Sequence, residues 1–202
     1  MSNSLMGVVS NPYVNLFRSG GTKRWTIVQM QRQQTLAEHH AIVASLVLQL
    51  CNELDMYQTN FRLMLVEYAL SHDLQEVVTG DLPTPGKTAL GAAVGQAINN
   101  AEDVIRKDMG IHHILITDQQ KNILRAADNL EALWFCGTHL QDGVGLEALG
   151  DIATRTASVA RMWSPALRVG ARRCLAAIIA MVINERAIVI LKNLHEQLGE
   201  MI

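Results

Sequence analysis

The sequence predicts an all-α protein, a single compact helical bundle over residues 1–202. Apolar residues make up 49% of the chain, and alanine, leucine and isoleucine are frequent, whereas only four residues are proline. Apolar positions recur at helical spacing, and no alternating segment is long enough to indicate a sheet. These observations together favour helices packed around a sizeable core.

Composition and charge exclude several classes of protein. The 19 acidic and 17 basic side chains leave a net charge of −2, which argues against a nucleic-acid polymer as partner. The cysteines Cys51, Cys136 and Cys174 are odd in number and lie among apolar residues, as is typical of reduced core residues in a cytoplasmic protein. The longest apolar run, Cys174–Ile183, has ten residues, whereas a membrane helix needs ~20. We therefore expect a cytoplasmic location without membrane contact.

The N-terminal part is predicted to be an arm followed by a capped helix. Residues 1–22 contain Ser, Asn, Pro and Gly and predict an irregular arm, with one helical turn around 14–18. Thr35 and Glu38 have the spacing of a capping box. Since apolar residues with helical spacing follow, the sequence predicts a helix at about 36–54.

A catalytic core over residues 23–141 and C-terminal helices over 142–202 complete the predicted organisation. Two prolines and two glycines between Thr79 and Gly86 predict a loop at 76–87. Glycines and Pro165 make 142–165 a looser connection, with room for a short helix. Further helices are predicted at about 60–73, 88–109, 118–141 and 166–198.

Candidate metal ligands are His39, the adjacent pair His72 and Asp73, and Asp128. Imidazole and carboxylate together suit divalent transition metals, and such a set leaves open positions for water and a phosphate oxygen. Neighbouring helical residues point about 100° apart, so His72 and Asp73 can share one ion only at a helix end that faces a cavity. Each residue alone is more often a hydrogen-bonded core histidine or a helix cap.

Four stretches form a fuller pattern around these residues. They are Lys23-Arg24-Trp25, Ala37-Glu38-His39, the string from Ser71 to Pro85, and Ala127-Asp128. The pattern resembles the HD-domain phosphohydrolases, a superfamily named for His…His-Asp…Asp ligation. It is most similar to the YfbR-type 5′-deoxynucleotidases and the phage dATP triphosphohydrolases, and the likeness covers roughly residues 20–135.

The resemblance implies a function and a cofactor. It implies one divalent transition metal (Co, Mn, Zn or Fe) and cleavage of the 5′ phosphate ester of a 2′-deoxynucleotide. Two reactions stay open, dATP to deoxyadenosine plus triphosphate and dNMP to deoxynucleoside plus phosphate. The resemblance also implies a homo-oligomer.

Two acidic residues are candidates for proton transfer. Glu76 lies three residues beyond Asp73, on the same face of a continuing helical turn, and could orient the attacking water or carry its proton. Its alternative is a solvated glutamate. Asp81 resembles a second catalytic position of the nucleotidases, where it could protonate the departing 5′-oxygen or accept the ribose hydroxyl. It could equally be a turn residue.

The candidate substrate-binding residues are Arg24, Trp25, Ile27 and Lys87. Arg24 suits a bidentate phosphate contact, and Lys87 supplies a point charge, although either could be a surface charge. Trp25 could stack on a base, and an apolar Ile27 at the base edge would favour adenine over guanine. The alternative is that Trp25 and Ile27 anchor the N-terminal arm in the core.

Other functions remain as alternatives. One is a non-catalytic nucleotide-sensing module, which the retained ligands and acids argue against. Another is a cyclic-nucleotide or (p)ppGpp hydrolase on the same scaffold. His112 and His113 could support a second metal, although the single-metal relatives do without such residues. His40 is predicted to point to a different face of its helix from His39.

Overall fold

The computed structural model describes residues 11–81, 91–111 and 114–201. Its helices are α1 (Pro12–Ser19), α2 (Leu36–Glu53), α3 (Thr59–Ser71), α4 (Glu76–Thr79), α5 (Ala92–Asp108), α6 (Asp118–His139), α7 (Gly143–Ala160), α8 (Pro165–Met181) and α9 (Glu185–Glu200). Within these ranges, extended pairing is limited to two isolated antiparallel bridges, Lys23–Thr35 and Met30–Leu140. The predicted all-α class is confirmed.

The N-terminal arm contains more helix than its composition predicts. Helix α1 has eight residues, whereas the sequence indicated a single turn. The side chain of Asn11 accepts hydrogen bonds from the backbone N–H groups of Tyr13 and Val14, at 3.0 and 3.2 Å. Because Pro12 occupies the first helical position, where its missing N–H costs nothing, the cap and the proline together begin the helix.

Helix α2 begins where the sequence predicts. The hydroxyl of Thr35 accepts a hydrogen bond from the N–H of Glu38 at 3.1 Å. The carboxylate of Glu38 binds the guanidinium of Arg32 at 2.6 and 2.9 Å. Thr35 therefore caps the helix, and Glu38 ties the preceding loop to its first turn.

The prediction of a loose connection over 142–165 is wrong, because α7 fills most of it with an 18-residue helix. Asp142 caps this helix by accepting the N–H of Gly145 at 2.8 Å. A Cβ atom at Gly145 would lie 2.7 Å from the Cβ of Leu140. The absence of a side chain at Gly145 therefore allows the end of α6 and the start of α7 to approach closely, and Gly145 does not interrupt the helix.

The single C-terminal helix predicted at 166–198 is two helices, α8 and α9. Val182 leaves the helical conformation with φ −81° and ψ 132°. The side chain of Asn184 then accepts hydrogen bonds from the backbone N–H groups of Arg186 and Ala187 and so caps the start of α9. Both helices bury one apolar face, so the apolar pattern continues across the break. Hydropathy alone therefore does not reveal the break.

Helix α6 runs through the core and positions the other helices. It packs against α2 on one side and against α7 and α8 on another, and α2 also packs along α3. Fully buried side chains of α6 include Leu130, Leu133 and Phe135. Because α2, the end of α3 and the middle of α6 meet, residues far apart in the chain come together at that junction.

None of the described helices combines the length and the apolar character that a membrane-spanning segment requires.

Phe135 is expected to be a main determinant of stability. It is fully buried, and its ring lies 5.9 Å from that of Trp25 and 4.9 Å below the Arg32 guanidinium. Phe135→Ala should lower the free energy of unfolding by about 4 kcal/mol, because it leaves a cavity. Phe17→Ala, at a ring that is 80% exposed, is the control and should change it by less than about 0.5 kcal/mol. Urea unfolding measures both, and equal effects would contradict the assigned role of Phe135.

Candidate active site

The predicted metal ligands come from three separate elements. His39 lies in the first turns of α2 and is fully buried. His72 directly follows the last residue of α3, and Asp73 continues the turn towards α4. Asp128 lies in the middle of α6. The turn after α3 supplies the helix end that the adjacent pair requires.

The structure brings these four side chains to one point. The Nε2 atom of His39 lies 3.3 Å from the Nε2 of His72. The same atom lies 3.5 Å from an oxygen of Asp128 and 3.7 Å from an oxygen of Asp73. The Nε2 of His72 is 3.3 Å from that oxygen of Asp73. Each of the two imidazole Nε2 atoms therefore lies 3.3–3.7 Å from a carboxylate oxygen, and the ligand atoms of His39, His72 and Asp128 lie within 4.8 Å of one another, a spacing that suits one metal ion.

Hydrogen bonds at the far side of each imidazole orient both rings for metal binding. The Nδ1 of His72 lies 2.9 Å from the carbonyl oxygen of Ala69, which can only accept, so Nδ1 carries the proton. The Nδ1 of His39 lies 2.8 Å from a carboxylate oxygen of Glu131. With Nδ1 engaged in this way, each ring presents its Nε2 atom to the carboxylates, at 3.3–3.7 Å. Such a set of acceptors fits a divalent cation, and metal-binding histidines use the same outer partners.

Two buried residues behind His39 complete this support. The side-chain amide of Gln34 donates a hydrogen bond to Glu131, and the Trp25 indole N–H donates to Gln34 at 2.9 Å. Burial raises the pKa of Glu131 to about 7, against the opposing effect of Arg24. Glu131 follows Asp128 by three residues, so it shares that face of α6. Gln34 has no sequence signal, because only the fold brings it to α6.

The charge states of the site suit ligation at neutral pH. Burial and the nearby Arg24 lower the pKa of His39 to about 3, so the ring is neutral. Burial alone would raise the pKa of Asp73, but the neighbouring His72, Arg24 and His39 lower it to about 2. The result is a neutral imidazole beside an ionised carboxylate.

Arg24 lies beside the ligands. Its Nη1 atom is 3.7 Å from an oxygen of Asp73, and the side chain is 14% exposed. Burial lowers the pKa of Arg24, but Asp73 and Asp128 outweigh it, and the net shift is upward. Within the described residues, Nε and Nη1 have no hydrogen-bond partner. These buried donors support the predicted contact with a phosphate.

Trp25 and Ile27 are placed differently from each other. The ring of Trp25 stacks on Phe135 at an angle of 16°, and its backbone adopts a φ of +61°. This inward orientation favours the alternative that Trp25 anchors the N-terminal segment. Ile27 is 54% exposed, so its side chain is accessible.

The predicted acids lie near the two ends of α4. Glu76 begins α4 and is buried. Asp81 accepts a hydrogen bond from the backbone N–H of Trp25 at 3.3 Å, which holds it against the segment that carries Arg24. Lys87 lies outside the described residues, as do His112 and His113.

His40 was predicted to point to a different face of α2 from His39, and the structure nevertheless places it beside a candidate ligand. It is buried, and its ring centroid is 5.1 Å from that of His72. Ligand atoms of His40, His72 and Asp73 lie within 4.8 Å of one another, as do those of His39, His72 and Asp128. The turn after α3 covers the start of α2, so two adjacent faces of α2 contact it.

Comparison with known proteins identifies the family. The YfbR-like 5′-deoxynucleotidase family matches this chain over residues 14–145, a range that includes all four candidate ligands. The chain belongs to the YfbR-like 5′-deoxynucleotidase family.

Individual relatives of this YfbR-like protein are phage enzymes. It is 32% identical over 133 residues to a dATP triphosphohydrolase of Salmonella phage PMBT28, covering 62% of this chain and 66% of that relative. It is 30% identical over 130 residues to the dATP triphosphohydrolase of Cyanophage S-2L, covering 62% and 72%.

A solved structure has the same fold. It is the Cyanophage S-2L HD phosphohydrolase DatZ, bound to dA and one catalytic Zn²⁺ ion. The TM-score is 0.60 at 19% identity, over 92% of this chain and 95% of that one. The predicted resemblance, the all-α fold and the assignment to the deoxynucleotide phosphohydrolases are therefore confirmed.

Proposed function

We propose that this YfbR-like protein hydrolyses dATP to deoxyadenosine and triphosphate at a site that holds one divalent transition-metal ion. The observation that carries the proposal is the close approach of His39, His72, Asp73 and Asp128, with the Nε2 atoms of both histidines 3.3–3.7 Å from carboxylate oxygens. The names of the two phage relatives support dATP as substrate.

The four ligands are proposed to hold Zn²⁺, Co²⁺, Mn²⁺ or Fe²⁺, since two imidazoles and two carboxylates suit each of these ions. When bound, the ion withdraws electron density from a phosphoryl group and stabilises the charge that develops in the transition state. Zinc is supported by the ion that DatZ contains.

The proposed reaction adds one water to dATP. The water oxygen attacks the α-phosphorus and the bond between that phosphorus and the 5′-oxygen breaks. The 5′-oxygen departs with deoxyadenosine and takes up a proton, and the water oxygen stays on the triphosphate. Glu76 is proposed to take the proton of the attacking water, and Asp81 to protonate the 5′-oxygen or to bind the ribose hydroxyl. Arg24 is proposed to neutralise phosphate charge through its buried Nε and Nη1 atoms, which make no hydrogen bond within the described residues. Ile27 is proposed to lie at the base edge and to favour adenine.

A second candidate reaction releases phosphate from deoxynucleoside monophosphates, as the name of the matching family suggests. Incubation of the zinc-, cobalt- or manganese-loaded protein with the four dNTPs and the four dNMPs, followed by anion-exchange chromatography, separates the two reactions. We expect triphosphate and deoxyadenosine from dATP. Inorganic phosphate from dAMP alone would favour the second reaction. No product from any deoxynucleotide, in a protein without bound metal, would favour the sensing module.

Metal removal is expected to abolish turnover reversibly. The lone pairs of His39 and His72 and the carboxylates cannot polarise a phosphate without the cation. Dialysis against a chelator should therefore reduce product formation to background, and Zn²⁺, Co²⁺ or Mn²⁺ should restore it, while Mg²⁺ should restore less because it prefers an all-oxygen shell. Full activity of a protein shown by elemental analysis to be metal-free would contradict the proposal.

A further inference from the structure

We propose that Lys121 and Arg125 form a polyphosphate-binding subsite beside the metal ligands and thereby distinguish triphosphate from monophosphate substrates. This inference rests on the proposed function and adds two residues that lie outside the sequence motif. It is based on the lining of one cavity, on the spacing of three residues on α6, and on the absence of a strong partner for either positive charge among the described residues.

The cavity of about 540 Å³ next to the ligands has one cationic wall. Its lining includes His72, Asp73 and Asp128, so it opens directly onto the candidate metal site. Lys121 and Arg125 line the same cavity. The remaining lining is mostly apolar: Val43, Tyr68, Ile114, Leu115, Ile116 and Leu124. A phosphate chain that enters this cavity from the metal site therefore meets both basic residues.

The two cations precede Asp128 along one face of α6. Lys121, Arg125 and Asp128 are separated by four and three residues, which is the spacing of one helical stripe. At the helical rise, Arg125 lies about 4.5 Å and Lys121 about 10 Å from Asp128 along the axis. The two positive charges thus lie one after the other along α6 away from Asp128, so that a phosphate chain running from the metal site along this wall would meet them in turn.

Neither Lys121 nor Arg125 makes a strong ion pair within the described residues. Within the described part of the chain, the Arg125 side chain makes no hydrogen bond or ion pair. Lys121 contacts Asp118 at 3.1 Å, and the Asp118 side chain is 95% exposed. Such a solvated pair is weak, so a phosphate can replace it. Arg24, in contrast, already lies beside the carboxylate of Asp73.

Arg125→Ala and Lys121→Ala test the subsite kinetically, with Arg161→Ala and Lys192→Ala as controls. Both control residues are exposed basic side chains outside the cavity lining: Arg161 directly follows α7, and Lys192 lies on α9. Losing a charged hydrogen bond to phosphate should lower kcat/KM for dATP about tenfold to hundredfold in Arg125→Ala. The loss in kcat/KM for dAMP should be at least about tenfold smaller than that for dATP. The Arg125→Lys variant should recover part of the kcat/KM for dATP. Equal losses for dATP and dAMP would overturn the proposal.

Binding of inorganic tripolyphosphate separates this inference from the proposed function. Calorimetry on the zinc-loaded protein needs no turnover, so it reports on the subsite even if no nucleotide is hydrolysed. We expect Kd for tripolyphosphate to rise about tenfold or more in Arg125→Ala and to stay unchanged in Arg161→Ala. An unchanged Kd in Arg125→Ala, or no binding to the unaltered protein, would overturn the subsite, whereas absent turnover alone would overturn only the proposed reaction.

Discussion

An Asp73→Ala variant is expected to lose turnover of every deoxynucleotide while keeping its helical fold. Asp73 places an ionised oxygen 3.3 Å from the Nε2 of His72 and 3.7 Å from that of His39. Without it, the proposed metal site loses a charged ligand, and Arg24 loses the carboxylate that lies 3.7 Å from its Nη1 atom. Product formation should fall to background in a chromatographic assay, and elemental analysis should find less bound metal.

Two further variants separate loss of the ligand from loss of folding. Asp73→Asn keeps the size of the side chain, so it should keep the circular dichroism spectrum and still lose turnover, because an amide is a poorer ligand for a transition metal. Asp151→Ala removes an exposed aspartate of α7 and should retain full turnover. Retained activity and metal content in Asp73→Asn would exclude this residue from the ligand set.

Glu131→Ala is expected to weaken both metal binding and the fold. The Glu131 carboxylate accepts a hydrogen bond from the Gln34 amide and orients the Nδ1 of His39. The side chains of Glu131, Gln34 and His39 are all fully buried. Removal of the carboxylate leaves two buried groups unpaired and opens a cavity, which should cost about 3 kcal/mol in the free energy of unfolding. Loss of such a partner behind a ligand should lower metal affinity about tenfold to hundredfold.

Glu131→Gln distinguishes the orienting role from simple packing. The amide fills the same volume and its oxygen still accepts one hydrogen bond, so we expect most of the stability to return. Metal affinity should recover less, because a neutral amide does not raise the basicity of the His39 ring as a carboxylate does. Competition with a chromophoric chelator measures the affinity. Wild-type zinc affinity in Glu131→Ala would disprove the role.

Local sequence signals predicted the helices that have strong caps and clear apolar periodicity. Thr35 caps α2 as expected, and α6 runs close to its predicted bounds. The prediction failed at α7 and at the break between α8 and α9. In both places a local capping hydrogen bond decides where a helix begins, through Asp142 for α7 and Asn184 for α9. The glycines near Asp142 suggest a loop, and the apolar residues near Asn184 suggest an unbroken helix.

The motif similarly indicated the donors of the site but missed their surroundings. His39, His72, Asp73 and Asp128 follow from the matched pattern, and the fold places them together. Gln34 and His40 were not predicted as part of the site. Gln34 meets Glu131 only through a contact across 97 residues, and His40 reaches His72 only because the turn after α3 covers α2.

The amino-acid sequence by itself determined the helical class, the family and the chemical nature of the candidate ligands, because these depend on periodicity and on residue type. The tertiary structure decided the protonation of His39, the ionisation of Asp73 and the inward orientation of Trp25. Those properties depend on burial and on charges from distant segments. It also brought Lys121 and Arg125 to the wall of the cavity at the ligands, since only packing decides which face of α6 borders that space.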